Sequence, residues 1–374
     1  MVDLLRNPGT GWALRHGDDD GDAVPYWHAQ EQAAQSAASL LFVDWSRNHL
    51  EPRPGQFAWK YDEEFQLLIA GALKRKLRLA FRIRVGSEQE KVPAFQRGYE
   101  RFLAGFAAEF DDPSRVDFVM ATGPGAERIE KYFSRVPSSG GVQGAISCAA
   151  VGGDCFPAAE RQAVLGRFPA RPFFAAIGYR AGEGEHWRSD LHYGELCEEW
   201  GAIRAATLAE ALEHHANWLE LGNVADAALW LKTPDLVQEF IELGGYRLAP
   251  ARLEFPSELI PGDRIVIRST WGNYACGVLP DPKREYRVEF ALLGEDGELL
   301  ASAVDPELEP GSWTTGEFHS GEVVLELPRE LPSGNRYLAT AIRSRRSGDG
   351  SPALKLATGL PDYGCWYLFE QFKS

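Results

Sequence analysis

Three hydrophobic textures follow one another between Leu40 and Val85. Leu40–Trp45 is apolar at every position but Asp44, the pattern of a parallel strand covered on both faces. Phe65, Leu68, Ile69 and Ala72 then recur at i, i+3, i+4 and i+7, which predicts a helix with a single apolar stripe. From Leu77 to Arg84 the chain alternates, with Arg78, Ala80, Arg82 and Arg84 on one side and Leu77, Leu79, Phe81 and Ile83 on the other. That alternation predicts a strand with one face able to sit inside a barrel or at its mouth. Strand, helix and strand in this length make a right-handed crossover unit. Short apolar strands and helices continue to about residue 222: strands at 116–121, 144–151, 171–179 and 217–221, helices at 126–135 and 158–168, and a long helix through Leu196, Trp200 and Ile203. With the runs at Trp12, Leu41 and Leu79, seven strands are legible. The prediction is an α/β fold, a (β/α)8 TIM-like barrel, complete or degenerate.

After Pro250 the texture changes. ARLEFP, DRIVIRSTW, EYRVEFALLG, ELLASAV, GEVVLEL, RYLATAIR and CWYLFEQF are strand-like runs separated by Pro, Gly and Asp turns, the spacing of an antiparallel, immunoglobulin-like β-sandwich. The expected division is a barrel over residues 1–249 and a sandwich over 250–374, each with its own core.

Composition narrows the function classes. A hydrophobic content of 44% supplies two full cores. The formal net charge of −15 opposes binding to nucleic acid or an anionic membrane, and no run of 18 apolar residues would span a bilayer. MVDLLRNPGT lacks the basic and apolar segments of a secretion signal. The five cysteines are scattered, as suits reduced thiols. A cytoplasmic protein is expected from the chain as given, although a secreted chain with its leader removed would read the same.

Specific motifs add a resemblance. The Trp45, Leu50-Glu51-Pro52, Gly55, Phe57, Trp59 spacing resembles the segment after the second strand of clan A glycoside hydrolases, notably the β-galactosidase-like barrels. NPGTGW at Asn7–Trp12 is similar to the opening of a bacterial group of glycosidase-like barrels that carry a C-terminal β-sandwich of unknown function. GYRL at Gly245–Leu248, Pro261-Gly262, Trp271-Gly272-Asn273 and the YRVEFALLGEDGELL hairpin look like that sandwich. The resemblance is strongest over residues 7–85 and 244–374 and weak between about 115 and 200. It implies glycoside hydrolysis by two carboxyl groups, with an acid after the fourth strand and a nucleophile after the seventh; such pairs lie about 5 Å apart in retaining enzymes and about 6.5–9.5 Å apart in inverting ones.

Glu127, in Gly123-Pro124-Gly125-Ala126-Glu127 after the fourth recognised strand, is the candidate acid, and reads equally as the first-turn carboxylate of a helix. RPFFAAIGY places Ala175, Ala176 and Ile177 where the family pattern would supply a nucleophile, so the candidate partners are Glu183, Glu185 and Glu220. His186, Trp187, Arg188, Asp190, His192 and Tyr193 form a polar and aromatic loop of the kind that meets sugar rings and hydroxyls. Trp12, Trp45 and Trp218 lie near predicted strand ends as further platforms, and Arg82 as a lumen-facing cation that requires a carboxylate partner. Glu51 reads as a loop brace. The Gly-Pro-Gly turn lacks the Lys-Ser/Thr of a phosphate loop, and His214 and His215 point apart on a helix, so neither a cofactor nor a metal is expected. The partner is a carbohydrate; the two functional expectations are hydrolysis of a glycan or oligosaccharide, and non-catalytic carbohydrate binding on a decayed barrel.

Overall fold

The computed structural model describes residues 4–86, 93–140, 146–152, 156–178, 193–281, 285–345 and 353–373, in two compact units, Met1–Gly245 and Tyr246–Ser374. The first unit is built on eight parallel strands: β1 (Gly11–Gly17), β2 (Ala38–Ser46), β3 (Arg78–Arg84), β4 (Val116–Thr122), β5 (Ser138–Gly140), β6 (Ser147–Val151), β7 (Phe173–Ile177) and β8 (Ala216–Glu220). Their order, β5-β4-β3-β2-β1-β8-β7-β6, is that of a (β/α)8 barrel opened at one seam. At that seam the Ser139 hydroxyl donates to the Ile146 carbonyl. Helices α1 (Ala23–Ser36), α2 (Arg47–Leu50), α3 (Ala58–Tyr61), α4 (Glu63–Lys74), α5 (Pro93–Phe110), α6 (Ala158–Leu165), α7 (Tyr193–Glu213), α8 (Val224–Trp230) and α9 (Pro234–Leu243) form the rest of the unit.

The eighth strand, missing from the sequence pattern, is β5. Its three residues, Ser-Ser-Gly, carry no apolar run to betray it. The helix expected over 126–135 is a single 3-10 stretch, Ala126–Lys131. By contrast α4 buries the four residues of its predicted stripe, Phe65, Leu68, Ile69 and Ala72, and the Asp62 carboxylate caps it by accepting from the Phe65 amide.

Two apolar layers follow from the period of two along each strand. Leu14, Leu41, Val43, Leu79, Phe81 and Ile83 face the helices, while Ala13, Leu40, Phe42, Ala80, Phe118, Phe174 and Trp218 fill the barrel interior.

The second unit is an antiparallel sandwich. Strands β9 (Leu248–Glu254), β10 (Arg264–Asn273) and β13 (Phe318–Glu326) form one sheet. The other contains β11 (Tyr286–Leu293), β12 (Leu299–Val304), β14 (Arg336–Ser344), β15 (Asp362–Tyr363) and β16 (Trp366–Phe372). First, second and fifth strands on one side and third, fourth and sixth on the other is the Greek-key arrangement of immunoglobulin-like sandwiches. Ile267, Trp271, Phe290, Leu325, Leu338 and Ile342 fill the space between the sheets. Strand β9 already begins at Leu248, ahead of Pro250.

Candidate functional site at the carboxyl end of the barrel

Two residues along each strand from the apolar interior layer, the side chains become charged. Arg15 follows Ala13 on β1, Asp44 follows Phe42 on β2, Arg82 follows Ala80 on β3 and Glu220 follows Trp218 on β8. All four therefore share the inward face, at the carboxyl ends of the strands where barrel sites form. Strand register brings them together: Gly17 and Asp44 pair across β1 and β2, and Asp44 and Arg82 across β2 and β3.

Asp44 is the hub. Arg82 donates to it from Nε at 2.8 Å and Nη2 at 2.5 Å, Arg15 from Nε at 3.2 Å and Nη2 at 2.9 Å, and Arg84 approaches at 3.1 Å through Nε. Burial alone would raise the Asp44 pKa, but the hydrogen bonds and charges of Arg82 and Arg15 outweigh it and hold the carboxyl at about 2. Against the opposing effect of burial, Asp44 raises the pKa of Arg82, and Glu220 with Asp44 raises that of Arg15. Glu220, fully buried, has Oε1 3.5 Å from Arg15 Nε, so one guanidinium serves both carboxylates.

The layer extends outward through the acidic run that follows β1. Asp20 accepts from the Gly17 amide at 2.5 Å and lies 3.8 Å from Arg15; Asp18 accepts from the Ser46 amide and pairs with Arg84 at 2.8 Å. The acidic loop is thereby tied to the mouth. Across the lumen the wall is small: Ala150 and Ala176, with Cys148, whose surface is open. Protein packed around the sulfur pushes the Cys148 thiol up to about 12, against the pull of the Arg82 charge.

The predicted site residues divide sharply. Arg82 and Glu220 are in this layer. Trp12 has no exposed surface: its indole donates to the Val237 carbonyl and packs on Trp230 and Phe240, on the helix side of β1. Trp45 also faces outward, donating to His16 Nδ1 and packing on Phe65. Trp218 faces the lumen but lies one layer below Glu220, sealed against Phe118 and donating to Asp117. None of these three indoles is placed to stack on a sugar, because strand parity or depth assigns each to a core. Glu127 stands on the 3-10 helix, largely exposed, 3.9 Å from Arg128. Glu183, Glu185, His186, Trp187 and His192 lie outside the described residues, and of Tyr193 only the backbone, at the start of α7, is described. Arg15 and Asp44 join the layer without having been expected there; a charge inside a run as apolar as Leu40–Trp45 is the signal for Asp44, and the mixed run GWALRHG carries none for Arg15.

Glu51 is the loop brace its motif suggested: it accepts from the Gly55 amide at 2.8 Å and pairs with Arg47 and Arg101. Among the described residues no cluster of His, Cys, Asp and Glu is arranged to hold a metal ion, and no helix is long and apolar enough to cross a membrane.

No family model matches the chain, and no curated protein matches it. Solved structures with a similar chain path include a family 39 glycoside hydrolase from the gut symbiont Bacteroides cellulosilyticus WH2, 12% identical over 87% of this chain and 82% of that one with a TM-score of 0.38. The endo-β-1,4-mannanase of Thermotoga petrophila is 8% identical over 93% and 97%, with a TM-score of 0.38. The tri-modular endo-β-1,4-glucanase B of Bacillus halodurans is 10% identical over 100% of both chains, with a TM-score of 0.39. The chemistry of the mouth rests on the chain's own residues.

Proposed function

We propose that the carboxyl mouth of the barrel binds a neutral carbohydrate. The observation that carries this reading is the Arg15–Asp44–Arg82–Glu220 layer, which stands where a further apolar packing layer would otherwise continue the core. Buried charges are costly and seldom add net stability, so their concentration at strand ends favours a functional role. Fixed planar donors and acceptors on one wall and small residues on the other suit a ring with hydroxyls on its edge. Arg15, Arg82 and Arg84 are balanced by Asp18, Asp20, Asp44 and Glu220, which gives no attraction for phosphate or a uronic acid. Calorimetry with neutral oligosaccharides tests this: Arg82→Ala, which removes a donor, and Glu220→Gln, which acts through its pairing with Arg15, should each weaken binding about tenfold or more. Unchanged affinity in both variants would refute it.

Hydrolysis of an O-glycosyl bond is the second reading, favoured by the shared guanidinium. Asp44 Oδ2 and Glu220 Oε1 lie 3.2 Å and 3.5 Å from the same Arg15 Nε, so the two oxygens are at most about 7 Å apart, within the span of a hydrolytic pair. Asp44, held ionised at about 2, is unable to supply the proton, so that role falls to Glu220 or to Glu127, with Glu183 and Glu185 as further carboxylates. Replacing the proton donor by Gln should slow hydrolysis about 10²- to 10⁴-fold, and less for activated aryl glycosides. Wild-type protein inert toward a broad glycoside panel would leave binding alone.

A further inference from the structure

We infer that the sandwich carries a carbohydrate site of its own, on the outer face of its three-stranded sheet. Strand β10 alternates between the core residues Ile265 and Ile267 and the outward-facing Arg264, Val266 and Arg268. Across the β10–β13 ladder the outer rungs pair Arg268 with Glu322, Thr270 with Ser320 and Gly272 with Phe318. The last rung is distinctive. A Cβ on Gly272 would stand 3.2 Å from the Phe318 ring, so the absent side chain lets the ring lie across the strand, and 60% of Phe318 remains exposed. Tyr274, 46% exposed, sets its ring 6.4 Å away at 71°. Together they make an aromatic corner with two open faces.

Beside the next two rungs is a hollow of about 350 Å³, lined by Thr270, Ser320, Arg252, Arg268, Glu307 and Glu322 among others. The two hydroxyls lie 3.1 Å apart. Arg268 donates to Glu322 at 2.7 Å, and Arg252 pairs with Glu254 at 2.7 Å, so the cations are already matched and Glu307 leaves the hollow with an excess of carboxylate. An anionic ligand is disfavoured. The surface asks for an uncharged molecule with an apolar face for the rings and hydroxyls for the polar hollow, which is the chemistry of a neutral polysaccharide. The inference is independent of the barrel site, since every residue in it belongs to the second unit.

The test is affinity electrophoresis of the full chain through gels containing β-glucan, galactomannan, xylan or polygalacturonate. Retardation by at least one neutral polymer is expected, weakened about tenfold by Phe318→Ala and by Tyr274→Ala, and restored in Phe318→Tyr. Phe318 is mostly exposed, so its truncation opens no cavity; an unchanged melting temperature checks this. Four outcomes would overturn the inference: no retardation by any neutral polymer, wild-type retardation in both aromatic variants, retardation lost in Glu220→Gln but kept in Phe318→Ala, or retardation by polygalacturonate alone. Self-association without polysaccharide that Phe318→Ala abolishes, seen in ultracentrifugation, would assign the face to a second copy instead.

Discussion

The barrel buries an arginine–aspartate system at each end, and the two are built differently. At the amino end Arg78 spends its guanidinium on Asp117 and on the carbonyls of Ser114, at 2.9 Å, and Pro113, at 2.7 Å. Asp117 also accepts from the Gly9 amide at 2.8 Å and from the Trp218 indole, and Asn217 donates to the Gly9 carbonyl at 2.7 Å. Those contacts lock the opening Asn-Pro-Gly-Thr-Gly segment under the barrel as a plug, much of it closed by backbone groups. At the carboxyl end the partners are other side chains, and the network runs from buried Glu220 through Arg15 and Asp44 to half-exposed Arg84 and Asp18. A closed network holds the fold, whereas one that opens toward solvent is available to a ligand.

The largest effect should come from the plug. Asp117→Ala leaves the Arg78 guanidinium buried without its carboxylate and should cost about 3–5 kcal/mol in urea denaturation. Glu220→Gln, which leaves Arg15 still held by Asp44, should cost about 1 kcal/mol or less. Equal losses would erase the distinction between the two ends.

Cys148 reports on the lumen between them. With its thiol at about 12 little thiolate is present at pH 8, and alkylation by iodoacetamide should be on the order of 10³-fold slower than that of an ordinary thiol. Ordinary reactivity, located by peptide mapping, would mean that water reaching the open surface of Cys148 outweighs the protein packed around it.

Acid should act on the carboxyl end through Asp44. Its folded pKa of about 2 lies below the unfolded value of about 3.9, so its contribution is present above pH 4 and is lost as pH falls toward 2. The loss should reach about 2 kcal/mol and be missing in Asp44→Asn. Parallel stability curves for the two proteins between pH 4 and 2 would contradict the Asp44 hub.

Much of this fold is legible in the sequence because burial repeats. Strands β2, β3 and β4 announce themselves as apolar runs or alternations, and α4 by its stripe; β5 does not, since three residues held mainly by neighbours need no pattern of their own. The site is less legible for the same reason. Arg82 is legible from the alternation of its strand and Glu220 from closing one, but Arg15 sits in the short mixed run GWALRHG, and Asp44 reads as an exception to its strand. The three tryptophans misled in the opposite sense. Nearness to a strand end is visible in sequence, whereas the side of the strand an indole faces, and its depth, are fixed by register, which is a property of the sheet.

The central claim is that the charged layer at the carboxyl mouth is a carbohydrate site. Titration calorimetry of neutral oligosaccharides into the Phe318→Ala protein, with the sandwich platform removed, tests it most directly when repeated with Glu220→Gln added. Saturable binding that weakens about tenfold or more on loss of the Glu220 charge is expected, while the melting temperature stays nearly constant. Identical isotherms with and without Glu220→Gln, or no heat from any neutral sugar, would contradict it.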